Sequence, residues 1–243
     1  MVVHHKIAPH FEFKSRELER IRPLCDRILQ QFDKLPALRL LCYFDDEIPD
    51  WMLRVHGEFQ IAHTPIIGGG TWPPYVKKYF FDLHGERAYD NLIYVPTSNY
   101  LHGEVSFVII LAHALQHFVQ WGFSRKIYKA NSILFNKLRL FEPTTNAKPW
   151  DIPFNREAMI VAKKVAIAVC GEKAVAEFVE AQIADGRNSK NTSKEQQWLC
   201  FREITISTSY DSCKETDRLV QKYKQQLLAL KSGIDFSKPK WWI

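Results

Sequence analysis

The chain has 243 residues, a formal net charge of +6 and a hydrophobic content of 46%, including 16 Phe, 9 Tyr and 7 Trp. This length fits one large domain or two small ones, and the composition is that of a globular protein with a substantial core. No uninterrupted apolar run approaches the roughly 18 to 20 residues that cross a bilayer. The amino-terminal segment lacks the pattern of a secretory signal, so we expect a cytoplasmic protein with no membrane partner.

The cysteines and the basic residues argue against two further classes of protein. The chain has an odd number of scattered cysteines and no Cys-x-x-Cys pair, which predicts reduced thiols rather than a disulfide framework. Basic residues occur at most as short pairs, and no block of five like charges is present. We therefore expect them on solvated helix faces and do not expect nucleic acid to be the main partner.

The first forty residues predict a helix followed by a strand. Ser15 is a suitable cap for a helix that runs to about residue 35, with apolar residues spaced for one buried face. Pro23 lies inside this helix and is expected to kink or restart it, and Pro36 ends it. The apolar run 38–44 then predicts a buried strand.

The residues up to Pro96 favour further strands. Segments 54–63, 78–83 and 91–95 are short and rich in aromatic and β-branched residues, which favour strands. The glycines at 68–70 are followed by two prolines and not by Gly-Lys-Ser/Thr, so they do not form a phosphate-binding loop. We interpret them as a flexible loop at the rim of the domain.

The pattern changes after Pro96, where apolar residues recur at helical spacing. The segment 104–121, EVSFVIILAHALQHFVQW, is apolar nearly all round, as expected of a central helix. Later segments also have a helical pattern, namely 153–170, 172–185, 194–209 and 212–231. Strands before helices predict an α+β fold: one domain, 1–243, with a short N-terminal sheet in a helix plus strand-rich part, 1–103, and a mainly helical part, 104–243.

The central helix contains the strongest candidate site, His113-Ala114-Leu115-Gln116-His117. Residues four apart differ by about 40° around a helix, so both imidazoles leave the same face and can reach one ion at about 2.0–2.1 Å. An isolated pair of this kind is also common as a surface pair or as hydrogen-bonded core histidines. Apolar flanking residues indicate burial here, and two adjacent buried imidazoles each need a partner. This favours a shared metal ion.

A downstream carboxylate completes the candidate ligand set. Glu157 lies in the first turns of the helix predicted to begin near Pro153. An acidic residue at a helix start can serve the helix dipole alone. Glu157 is a stronger candidate for a metal ligand here, because it supplies the carboxylate that the two histidines lack. Asp151 is the competing candidate, although its position before Pro153 suits a cap or a turn better.

These residues resemble a known family. LAHALQHFVQ, followed some forty residues later by DIPFNREAMIVAKKVA, is similar to the core of zincin metallopeptidases of the gluzincin kind, which have HExxH on one helix and a glutamate ligand on a later one. The resemblance covers about residues 90–166. It implies a zincin-like central helix, with His113, His117 and Glu157 as zinc ligands, and a peptide or protein as the substrate of a zinc metallopeptidase.

The chain departs from the family at the residue that performs the chemistry. Ala114 stands where the family has the glutamate that takes a proton from zinc-bound water. Alanine has no proton acceptor, and Gln116 is a neutral amide that cannot replace it. Loss of a positioned general base costs roughly 10²–10⁴-fold in rate. Ala114 is either natural, in a pseudoenzyme, or a replacement of glutamate. We favour the second because the rest of the site looks intact.

Two further expectations concern partners. The rival hypothesis is a non-catalytic zinc-binding module that interacts with protein or nucleic acid. A protein partner could dock on the C-terminal helices, where the apolar residues Leu219, Tyr223, Leu227 and Leu230 share one face.

Tyr128 is among the tyrosines that could polarise a substrate carbonyl, but core packing is the favoured interpretation for it.

Overall fold

The structure is a computed structural model of the chain. It describes residues 10–13, 16, 18–36, 40–45, 65–67, 91–96, 103–141, 151–206, 210–230, 234 and 236. The predicted strands at 54–63 and 78–83, the glycine loop at 68–70 and the proposed cap Ser15 lie outside these residues.

Four short strands pair in the order β1-β2-β4-β3. They are β1 (His10–Phe13), β2 (Leu40–Asp45), β3 (Pro65–Ile67) and β4 (Asn91–Pro96). β1, β2 and β4 are parallel to each other, whereas β3 is antiparallel to β4. Phe11, Cys42 and Ile93 stand in register across the three parallel strands, and all three side chains are buried.

Helices form most of the described chain. A 3-10 turn (Leu18–Ile21) leads into α1 (Arg22–Leu29). The later helices are α2 (Glu104–Phe123), α3 (Arg125–Phe141), α4 (Pro153–Cys170), α5 (Glu172–Asn188), α6 (Thr192–Glu203), α7 (Ser212–Lys222) and α8 (Lys224–Ala229).

The predicted α+β fold class, with a short N-terminal sheet beside a mainly helical half, is wrong. α-Helices make up 79% of the described residues outside the strands. The strands are short, and α1 lies between the parallel pair β1 and β2, so strands and helices are not segregated in the way that an α+β fold requires. Clustered β-branched and aromatic residues predicted a strand-rich part. This prediction is unreliable because strand propensity depends strongly on packing context.

Helix α2 is the centre of the fold because nearly all of its faces are apolar. It packs mainly against α4, and also against α1, α3, α5, β3 and β4. Phe107, Leu111, Leu115 and Phe118 have almost no exposed surface. By length and composition α2 is also long enough to span a membrane, with a mean hydropathy of 1.3, but 67% of that stretch is buried inside the structure. A buried core helix satisfies the same criteria, so this feature alone is weak evidence for a membrane.

The described residues form two hydrophobic clusters. The larger one combines α1, α2, α4, α5 and α6 with the buried strand residues. The smaller one joins α3, the start of α4, α7 and α8. Tyr223 and Leu227 are buried in the smaller cluster, so this C-terminal face covers a core, whereas Leu230 is 44% exposed.

Several helix boundaries differ from the sequence prediction for local reasons. Pro23 lies in the first turn of α1, where a missing N–H costs little, so the helix starts there. The predicted helix 194–209 ends at Glu203, where Lys163 Nζ donates to the carbonyls of Arg202 and Ile204, at 2.7 Å each. The predicted helix 212–231 is divided at Tyr223 into α7 and α8.

Candidate metal centre

A row of polar side chains runs along one face of the apolar helix α2. His113, Gln116, His117 and Gln120 are spaced at i, i+3, i+4 and i+7, so they lie on neighbouring turns. His117 is 8% exposed, Gln120 5% and Gln116 9%, and His113 is half-buried. Buried polar groups require partners, and the partners of His113, His117 and Gln120 define the candidate site.

The two histidines converge on one point. The Nε2 atoms of His113 and His117 are 3.0 Å apart, and the two rings meet edge to face with centroids 4.6 Å apart. Only one of two neutral imidazoles can donate in this contact. The same convergence is the arrangement that two nitrogen ligands of one ion would need.

Gln120 occupies the other nitrogen of His117. His117 Nδ1 lies 2.8 Å from Gln120 Oε1. Burial lowers the pKa of His117 to about 4, because the imidazolium is removed from water, although hydrogen bonds to Gln120 and Asn155 oppose this shift. His117 is therefore a neutral imidazole at neutral pH, the form that binds metals.

Glu157 joins the site through Gln120. Its Oε2 accepts hydrogen bonds from Gln120 Nε2 at 2.6 Å and from Ser212 Oγ at 2.8 Å. Among the described residues, no three side chains of His, Cys, Asp or Glu are placed to hold one metal ion. The structure thus brings His113 and His117 together and links Glu157 to them through an amide. Asp151 is exposed just before α4.

The network continues from Glu157 into two more helices, α7 and α3. Ser212 lies in the first turn of α7, and its carbonyl accepts a hydrogen bond from Thr216 Oγ1. Thr216 Oγ1 also accepts from Asn131 Nδ2 at 2.8 Å, and Asn131 Oδ1 accepts from the Phe154 backbone N–H. Gln120 Nε2 closes the loop by donating to the Phe154 carbonyl at 3.0 Å. The network therefore joins α2, α3, α4 and α7.

No family model, curated protein or solved structure matches this chain. The zincin resemblance therefore depends on the residues of this sequence alone, and the geometry is the further test of a metal site. Two nitrogens bound tetrahedrally at about 2.0–2.1 Å from zinc are about 3.3 Å apart. The observed 3.0 Å between the histidine nitrogens needs to open by about 0.3 Å to reach that value. This change is small, whereas Oε2 of Glu157 is hydrogen-bonded to Gln120 and Ser212.

Ala114 and Gln116 lie beside the histidines but are not linked to them. Ala114 has no exposed surface and belongs to the larger hydrophobic cluster. Gln116 is also buried, and no hydrogen-bond partner for its amide occurs within the described part of the chain. Tyr128 contacts His117 edge to face at 6.2 Å and packs against Trp121 and Phe154. Burial raises the pKa of Tyr128 to about 12, so its hydroxyl stays protonated.

Three residues of the site, Gln120, Ser212 and Asn131, were not predicted from the sequence. Gln120 was detectable, because it lies seven residues after His113 and interrupts an apolar helix face. Ser212 and Asn131 join the site from helices that are distant in sequence, and no local pattern marks them. Their roles come from tertiary packing.

Proposed function

We propose that this chain binds zinc through Nε2 of His113 and His117, in a zincin-like site that lacks the hydrolytic base. One observation carries the proposal: the two Nε2 atoms converge to 3.0 Å while Nδ1 of His117 is already occupied by Gln120. Histidine ligands commonly have their other ring nitrogen hydrogen-bonded in this manner.

Neutral imidazole suits zinc and several other first-row metals, and two histidines at i and i+4 leave room for further ligands. When bound, zinc lowers the pKa of a coordinated water to about 7 and polarises a carbonyl. Glu157, the third ligand suggested by the resemblance, accepts hydrogen bonds from Gln120 and Ser212 through Oε2.

In this proposal the chain does not hydrolyse peptide bonds, because no carboxylate stands at position 114. Ala114 is fully buried among apolar side chains. A glutamate there would be desolvated, and burial raises the pKa of a carboxyl group. This environment supports the non-catalytic form of the proposal, a zinc-binding module without peptidase activity.

A zinc metallopeptidase that acts on peptide or protein substrates is the second candidate function. It is supported by the His113 and His117 spacing and by the downstream Glu157, and it requires that Ala114 replaces a glutamate. The Ala114→Glu protein separates the two candidates. Hydrolysis of a broad peptide library by this variant supports the metallopeptidase, whereas a folded, zinc-loaded and inert variant supports the non-catalytic module.

The first experiment is zinc content per chain after reconstitution and desalting. We expect about one zinc per wild-type chain and a large loss in both His113→Ala and His117→Ala, because each removes one of two converging ligands. Gln116→Leu is a matched control on the same helix and should retain zinc. Wild-type protein that binds no zinc would refute the proposal and leave the histidines as a hydrogen-bonded core pair.

A further inference from the structure

The amide of Gln120 has a single consistent orientation. Its nitrogen faces two acceptors, the Phe154 carbonyl at 3.0 Å and Glu157 Oε2 at 2.6 Å. Its oxygen therefore faces Nδ1 of His117, at 2.8 Å. The reverse orientation would place an amide oxygen against two acceptors, with no proton available for either contact. The surrounding hydrogen bonds thus assign the amide.

The orientation of this amide determines the tautomer of His117. An amide oxygen only accepts hydrogen bonds, so Nδ1 of His117 must carry the proton and donate it to Gln120. In the neutral ring the lone pair is then on Nε2, which faces Nε2 of His113. This is the tautomer in which His117 can bind a metal from the side of His113.

Glu157 and Ser212 hold Gln120 in place. The Glu157 carboxylate accepts from the Gln120 amide and from the Ser212 hydroxyl through the same oxygen, Oε2. Ser212 is 3% exposed and Gln120 5%, so water competes little for either bond. Charge-assisted hydrogen bonds of this kind are stronger than neutral ones.

We infer that Gln120 is a positioning residue that fixes His117 as the Nδ1–H tautomer, and that Glu157 anchors Gln120 instead of binding the metal. The part that concerns the metal rests on the proposed zinc site. The tautomer assignment does not, because it follows from the hydrogen bonds of the metal-free chain.

The experiment combines two measurements on wild type, Gln120→Leu and Glu157→Gln. Long-range ¹H–¹⁵N NMR of the metal-free proteins reports the His117 tautomer, and chelator competition reports zinc affinity. We expect the Nδ1–H tautomer in wild type and in Glu157→Gln, because the glutamine oxygen can accept both hydrogen bonds. In Gln120→Leu that tautomer should lose population, because Nδ1 loses its acceptor Gln120 while the hydrogen bond of His117 with Asn155 remains, and zinc affinity should fall about 10–100-fold. Gln116→Leu controls for replacement of a buried glutamine on the same helix.

The possible outcomes separate this inference from the proposed function. An Nε2–H tautomer in wild type, or an unchanged tautomer in Gln120→Leu, overturns the positioning role even if zinc binds. Loss of zinc in Glu157→Gln as complete as in His117→Ala overturns the anchoring role and makes Glu157 a ligand. In a last outcome, neither wild type nor any variant binds zinc, but wild type has the Nδ1–H tautomer and Gln120→Leu loses it. The proposed function then fails, and the role of Gln120 in fixing the His117 tautomer is supported.

Discussion

Acidification should destabilise the metal-free protein through His117. The side chain is buried and its pKa is about 4 in the folded chain, against 6.5 as the ordinary value. Since the unfolded chain binds a proton near pH 6.5 and the folded chain does not, the neutral ring contributes its full stabilisation above pH 6.5. This contribution is lost as the pH falls from 6.5 towards 4. Between pH 7 and pH 4.5 the free energy of unfolding should fall by about 2–3 kcal/mol from this residue alone.

Urea denaturation of metal-free protein at several pH values between 7 and 4.5 measures this effect. His117→Gln is the control, because its amide does not titrate while most other ionisable groups are unchanged. We expect the wild-type free energy of unfolding to fall more steeply than that of the variant, by about 2–3 kcal/mol over the range. If the free energy of unfolding had the same pH dependence in both proteins, the conclusion that burial lowers the pKa of His117 would be refuted.

Three further predictions concern packing and hydrogen bonds. Gly186→Ala should lower the free energy of unfolding by about 1–3 kcal/mol, because a Cβ there would meet the backbone of Glu195 at 2.7 Å; an unchanged urea midpoint would contradict this close contact. Gln116→Leu should be neutral or stabilising by up to about 1–3 kcal/mol, since it removes a buried amide that lacks a described partner, and a lower melting temperature would contradict this. Lys163→Met should destabilise by about 1–2 kcal/mol through loss of two hydrogen bonds at the end of α6, which thermal denaturation can test against Lys164→Met.

The central helix and the helices after residue 150 were predictable from the sequence. Their apolar residues recur at helical spacing, and α2 and α4 were placed close to their observed bounds. Helix α3 was missed, although Ile127, Ala130, Asn131 and Leu134 form a buried row at i, i+3, i+4 and i+7. A single residue, Ser124, separates α2 from α3, so no polar connector marked a boundary. The fold class was wrong because local strand propensity did not account for tertiary packing.

The candidate site was predictable only where it is local. The spacing of His113 and His117 led to their convergence because a helix fixes the relation between residues four apart. The position of Glu157 within α4 could be predicted from the sequence, but its hydrogen bonds could not. Whether a carboxylate faces an ion or an amide depends on how α4 and α7 pack on α2, and sequence spacing carries no information about that packing.

The wide sequence separation of the network partners has a consequence for folding. Gln120 and Glu157 are 37 residues apart, and Glu157 and Ser212 are 55 apart. Contacts between distant residues form slowly because a long loop must close first, whereas the histidine pair belongs to one helix. During refolding the two imidazoles should therefore meet early, and the tautomer of His117 should become fixed only when α4 and α7 dock. The ¹⁵N shifts of this one ring would then serve as a kinetic marker for the docking of α4 and α7 on α2.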